Sequence, residues 1–257
     1  MEKKLFRSMS IVLFICLCFL PSHMAWAEEI QSETVQTEVV EQVVTDEASL
    51  IQPIEQLTAE QQAEIQIQQQ IAAVTEAQQS RQLVIIGDSR TVGMKSAVGK
   101  NNNLWSAKVG MGLSWMKNTG VPAVETNINA NSDVVILMGV NDVRSLSYTK
   151  KYISYLNDKA AEWTALGANV YYVSVNPMVF ESDAYAGINN DLISAWNAKM
   201  QAGLSSDISY IDTYSQVLGK LGSRDGIHYN NKSYKLIYEL INQGIINDKV
   251  MKEYYSI

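Results

Sequence analysis

Three short runs of apolar, largely β-branched residues constrain this chain more than anything else in it. Leu83, Val84, Ile85 and Ile86 end at Gly87, and residues Val134 to Met138 end at Gly139. Residues Val170 to Val175 form the third run. A run that is apolar at every position suits a strand buried on both faces, as in a parallel sheet. Two weaker candidates lie at residues 104–107 and 208–211. Between the runs the period changes from continuous to helical. Ile153, Leu156, Ala160, Trp163 and Leu166 recur at three- and four-residue steps, as do Tyr234, Ile237, Ile241 and Ile245. Strands alternating with helices imply right-handed crossovers and a parallel α/β sheet with helices on both faces. In such sheets sites form beyond the carboxyl ends of the strands, so reactive residues should directly follow the apolar runs.

The remainder of the 257 residues is organised differently. Residues 1–27 read as a secretory signal peptide. Lys3, Lys4 and Arg7 precede an apolar run at 11–20, and Ala25-Trp26-Ala27 supplies a small-x-small cleavage site. Ten apolar residues are too few to span a bilayer, which takes about 20. Cys16 and Cys18 follow Ile15 and Leu17, where a lipoprotein site would place a small residue, so secretion without a lipid is expected. Both cysteines of the chain, and His23, lie in this segment. Cleavage would leave no thiol and one imidazole, that of His228. A core must then supply the stability, and neither a disulfide framework nor a structural zinc site is expected.

Residues 28–80 hold 11 of the 27 acidic residues, with no Lys, Arg or Gly and many Gln. One-sided charge with few aromatics cannot bury enough apolar surface to fold alone. Thr58, with Gln61 three residues on, can cap a helix running to Gln79. The stretch reads as an acidic stalk, disordered or partly helical, that could carry a cell-surface partner. Ile67, Ile71 and Val74 make a narrow stripe, so a short coiled-coil partner site is the competing reading. Residues 81–257 form the remaining domain, nearly neutral with 17 bases against 15 acids. The whole chain carries a net charge of −7. Nucleic acid is not an expected partner, because its binding needs a clustered basic excess.

Three motifs stand where the strand rule places reactive residues. Gly87-Asp88-Ser89 closes the first run, followed by Arg90-Thr91-Val92-Gly93. Gly139-Val140-Asn141-Asp142 closes the second. Asp225-Gly226-Ile227-His228-Tyr229 lies just before the last helical stretch. Taken alone each is weak, since Gly-Asp-Ser is a common turn and Asp-x-x-His can be a helix cap. Their order and placement are more specific.

In these residues the chain resembles the SGNH, or GDSL-type, hydrolase family of esterases and lipases, over essentially all of 81–257. The resemblance implies a flavodoxin-like three-layer α/β/α sandwich. It implies Ser89 as nucleophile, His228 as base and Asp225 as the carboxylate that orients it. It further implies an oxyanion hole built from the Ser89 N–H, the Asn141 amide and a glycine N–H after the second strand. Gly110 and Gly112 are both candidates for that glycine. Leu113-Ser114 favours Gly112 by the family's spacing. Arg90 departs from the family pattern, which has Leu there, and bears on substrate subtype rather than reaction type.

The chemistry supplies its own reasons for these residue types. A serine hydroxyl is a poor nucleophile until a neighbouring base takes its proton. The imidazolium formed needs an anion at its other nitrogen, and the tetrahedral oxyanion needs preorganised donors. Asp88 and Asp142 adjoin strand-end turns and are expected to hold backbone donors rather than to form an acid–base pair. Trp115 and Tyr229, near the proposed donor and base, are candidates for the substrate pocket. No cofactor and no metal are expected. The leading reading is a secreted or envelope-associated serine esterase that removes a small acyl group, acetyl by preference, from a polysaccharide or small-molecule ester. A lipase or lysophospholipase, an O-acyltransferase and a non-catalytic carbohydrate-binding module on the same fold remain alternatives.

Overall fold

The computed structural model describes residues 58–255. The expected signal peptide and the stalk as far as residue 57 lie outside them. Five strands, β1 (Gln82–Gly87), β2 (Leu104–Ala107), β3 (Ser132–Leu137), β4 (Asn169–Val173) and β5 (Ile208–Ile211), form one sheet in the order β2-β1-β3-β4-β5. Every pair is parallel. Among the described residues five helices of ten or more residues accompany them: α1 (Ala59–Gln79), α2 (Ser89–Val98), α3 (Tyr148–Ala165), α4 (Asn190–Gly203) and α5 (Asn231–Tyr255).

Alternate residues of a strand face opposite sides of a sheet, and here both sides are apolar. Val84, Ile86, Val134, Ile136, Val170 and Tyr172 meet Tyr152, Leu156, Ala160 and Trp163 of α3, with Ile193, Trp196 and Met200 of α4. Leu83, Ile85, Val135, Leu137, Tyr171 and Val173 meet Met94 of α2 and Tyr234, Ile237, Ile241 and Ile245 of α5. The apolar runs are continuous because each strand lies between two helix layers. Burying a large apolar side chain contributes roughly 1.5–3 kcal/mol. Two such layers explain how the described residues, which include no cysteine, hold together.

Helix α1 lies inside the segment read as a stalk. Thr58 and Gln61 form both arms of the capping box, at 2.9 and 3.3 Å. The far end of the helix belongs to the domain. Val74 is buried, and Gln78 donates to Asp133 Oδ2 at 2.7 Å. The packed unit therefore starts upstream of Arg81, and the described residues 58–255 group together.

Chain order places the site. From β1 the chain steps outward to β2, then returns across β1 to β3, so the crossovers leave β1 in opposite directions. Gly87 is level with Ala107 on one side and Leu137 on the other. The loops after β1, β2 and β3 thus emerge together at the carboxyl edge, where such a reversal opens a crevice.

Candidate active site

Ser89 is the first residue of α2. Asp88 turns the chain from strand into helix by accepting the Arg90 N–H at 3.0 Å, an N-cap that leaves the Ser89 side chain free. Asp88 is almost fully buried, and burial pushes its carboxyl up to about 6 against the opposing pull of Arg90.

The loop before α5 brings the other two groups to this serine. Asp225 folds that loop around its own carboxylate, with Oδ1 accepting the backbone N–H of Ile227 at 3.0 Å and of His228 at 2.8 Å. Ser223 adds a hydroxyl 3.2 Å from the same oxygen. The turn needs its glycine: Gly226 has φ of +88°, and a Cβ there would stand 2.2 Å from the Phe180 carbonyl oxygen. Oδ2 of Asp225 lies 2.7 Å from His228 Nδ1, and His228 Nε2 lies 2.9 Å from Ser89 Oγ. An acceptor at Nδ1 places the ring proton there, and Nε2 then turns its lone pair toward the serine hydroxyl. Partial burial alone would raise the Asp225 carboxyl. The bonds from the His228 ring and from the two backbone N–H groups overcome it and hold the carboxyl well below the usual carboxylate range. An anion is therefore fixed behind the imidazole.

The loops after β2 and β3 are clamped to each other around Gly112. Asn141 Nδ2 donates to the Met111 carbonyl at 2.9 Å, and the Leu113 N–H donates to Asp142 Oδ2 at 2.9 Å. Asp142 also accepts the Tyr152 hydroxyl at 2.7 Å. These bonds leave one N–H of the Asn141 amide uncommitted. Among the described residues the backbone N–H groups of Ser89 and Gly112 have no hydrogen-bond acceptor. Gly110 stands apart, exposed in a turn with open space around it. Asp88 and Asp142 both hold backbone donors, as their turns suggest.

Tyr229 is a correction to the sequence reading. It is buried, its hydroxyl donates to the Pro177 carbonyl at 2.7 Å, and its ring lies under the Arg90 guanidinium at 5.1 Å. The residue after His228 points into the layer between sheet and α5, so it supports the site from within. Trp115 lies half-buried against the core, close over Gly120. Sequence reasoning missed Tyr185, whose hydroxyl lies 3.2 Å from both Asp225 Oδ2 and His228 Nδ1. Its position depends on the path of the β4–α4 connection, which no spacing rule encodes. Among the described residues no three His, Cys, Asp or Glu side chains are grouped as metal ligands would be.

Comparison with known proteins places this arrangement in a familiar fold. A GDSL-like lipase from Bacteroides thetaiotaomicron is 20% identical, with a TM-score of 0.51 over 70% of this chain and 97% of that one. A Slackia heliotrinireducens protein assigned to the SGNH hydrolases is 16% identical, with a TM-score of 0.51 over 65% and 99%. A Bacteroides fragilis protein assigned as an acylhydrolase is 18% identical, with a TM-score of 0.51 over 66% and 88%. No family model matches the chain, and no curated protein does. The chain has the three-layer α/β/α fold of the SGNH hydrolases. At such identities the likeness is one of fold, and function has to be argued from Ser89 and its neighbours.

Proposed function

We propose that this chain is a serine esterase that works through Ser89, His228 and Asp225. The observation that carries the reading is the line from Ser89 Oγ to His228 Nε2 at 2.9 Å and from Nδ1 to Asp225 at 2.7 Å. As Ser89 Oγ attacks the ester carbonyl carbon, its proton passes to Nε2, and Asp225 stabilises the imidazolium. The carbonyl oxygen becomes an oxyanion. The N–H groups of Ser89 and Gly112 and the free amide hydrogen of Asn141 are the donors suited to it. The start of α2 adds the positive end of a ten-residue helix. Collapse of the intermediate breaks the bond to the alkoxy oxygen, which leaves with the proton from Nε2. Water then attacks the acyl-serine, giving its proton to His228, and the acid and free serine are released.

For the substrate we propose a short acyl ester, acetyl foremost, on an extracellular carbohydrate. The signal-like first 27 residues and the acidic segment after them support secretion. Exposed large apolar side chains in the described residues are mostly scattered singles, Val179 and Phe180 being the adjacent pair near the site. That pattern supports a short acyl group over a long lipid chain.

The test is hydrolysis of p-nitrophenyl acetate, butyrate and octanoate by the full chain, beside Ser89→Ala and His228→Ala. Acetate is expected to be the best ester, with each variant folded but reduced by at least about 10³-fold. Unchanged turnover in Ser89→Ala would remove this serine from the reaction. Transfer of the acetyl group to an added sugar in place of water would reassign the activity to acyl transfer.

A further inference from the structure

We propose that Tyr185 is a positioning residue of this site: its hydroxyl, shared between Asp225 and the Nδ1 edge of His228, keeps the imidazole in line with Ser89. The inference rests on the esterase reading above.

The phenol reaches the site from outside the three motifs. Tyr185 closes a single 3₁₀ turn, Asp183–Tyr185, in the connection between β4 and α4. That connection is held at several points. Val179 N–H donates to the Gly226 carbonyl at 2.9 Å, inside the Asp225–His228 loop itself. Asn190 brackets Met178, accepting its N–H at 2.7 Å and donating to its carbonyl at 3.0 Å. Arg144 Nε donates to the Ala186 carbonyl at 2.9 Å, directly after the tyrosine. The ring packs against the core edge and stands edge-on to His228, with centroids 5.7 Å apart at 72°. Tyr185 is only half-buried, so water could satisfy its hydroxyl. The hydroxyl instead donates to Asp225 Oδ2 at 3.2 Å.

Oδ2 receives both the His228 ring proton and the Tyr185 proton, while Oδ1 is occupied by two backbone N–H groups and faces Ser223. A second donor on Oδ2 holds the carboxylate against rotation, so the oxygen facing Nδ1 stays where the imidazole needs it. The tyrosine stays a donor, because partial burial and the adjacent Asp225 charge both raise its own pKa. The other groups facing the imidazole are Asp88 and Ser89, at the turn from β1 into α2. None of these bonds to Nδ1.

Tyr185→Phe keeps the ring and removes the donor. In the full chain with His23→Gln the only imidazole is that of His228, so its ring resonances are assigned directly. In Tyr185→Phe the Nδ1–H resonance is expected to shift and to exchange faster with water, as for loss of one hydrogen bond beside it. In the same variant kcat should fall on the order of 5-fold with KM nearly unchanged. Tyr185→Ala, which also removes the edge contact, should lower kcat at least as far. An Nδ1–H resonance and a kcat that stay at their original values in either folded variant would overturn the proposal. The resonance needs no turnover, so it gives its answer even if Ser89→Ala shows that the esterase reading has failed.

Discussion

Arg90 donates from Nε to the carbonyl of Ile227 at 3.1 Å, which ties the helix carrying the nucleophile to the residue just before the proposed base. Its Nη1 donates to the Asn176 carbonyl at 2.6 Å, and its plane covers Tyr229 at 5.1 Å. One almost fully buried guanidinium thus joins α2, the loop after β4 and the loop before α5. Its planar fork reaches two carbonyls at once, which neither Lys nor Leu can do. Arg90→Lys is expected to lower kcat about 10-fold and to reduce thermal stability. Arg90→Leu should do both more strongly, since it strands two carbonyl oxygens that a charged donor now satisfies. Steady-state kinetics and a thermal melt check this. Unchanged kcat in Arg90→Leu would show that the strut does not align His228.

Gly112 offers a test of the proposed oxyanion hole that leaves Ser89, His228 and Asp225 intact. A Cβ there would lie 2.4 Å from Asp142 Oδ2, the oxygen that holds the Leu113 N–H. Gly112→Ala must displace that carboxylate or the loop, and either movement misaligns the Gly112 N–H. Loss of one such donor raises the barrier by about 2.7–4 kcal/mol, so kcat should fall by roughly 10²-fold or more. Gly110→Asn, in open space and with a side chain that tolerates the φ of +73° there, serves as the control and should keep kcat within a few-fold. Equal losses in the two variants would argue against Gly112 as the donor.

Much of this architecture could be read before any coordinates, for reasons that can be named. β1, β3 and β4 are legible because both faces are covered, so their residues cannot alternate with polar ones. α3 and α5 are legible because each turns one stripe to the sheet. α4 is not legible in the same way. Asn189 caps it by accepting the Leu192 N–H at 2.8 Å, but Asn197 interrupts its apolar face. That amide is buried because it brackets Val175, at 2.8 and 2.9 Å. A polar residue in a core position hides a helix from a pattern that counts apolar steps. Ser89, His228 and Asp225 were legible because Ser89 directly follows a strand and Asp225 and His228 lie just before the last helix. Tyr185 and the burial of Tyr229 were not, since both depend on where the long connection after β4 lies.

Asp88 gives stability a pH dependence of unusual sign for a carboxylate. Its folded value of about 6 lies above the ordinary 3.8. Between those values the folded chain binds more protons than the unfolded chain, so this residue makes stability fall as pH rises from about 4 to about 6. Asp133 and Asp225 act oppositely and lower down, because their folded carboxyls are held below the usual range. What they contribute is present above about pH 4 and is lost as pH falls further. Asp88→Asn keeps an oxygen for the Arg90 N–H and removes the titration. The gain relative to the unsubstituted chain should grow from pH 4 to pH 6, with a ceiling on the order of 3 kcal/mol. Urea melts at pH 4, 5, 6 and 7 measure it, and parallel curves would show that Asp88 does not titrate in this way.

The opposite edge of the sheet carries a second buried carboxylate, whose work is structural. Asp133 has no exposed side-chain surface near the start of β3, and it meets Arg81 at 2.9 Å and Lys249 at 2.7 Å. Asn169 and Gln78 each donate to it at 2.7 Å. Burial alone would raise its carboxyl, and the bonds from Lys249, Asn169 and Gln78 bring it below the usual range. Lys249→Met removes one cation and leaves much of the charge uncompensated, at a cost of about 3 kcal/mol near pH 7. The deficit should shrink as pH falls below about 4 and Asp133 gains a proton. Four steps along the strand, at roughly 3.3 Å each, separate Asp133 from Leu137, which is level with the Gly87 turn into Ser89. Turnover of the folded fraction should therefore be unchanged. Deleting residues 28–57 should alter neither stability nor small-ester kinetics, whereas deletion through Ser80 removes Gln78 and should lower the melting temperature. If both deletions melt like the full chain, α1 contributes nothing to holding this charge.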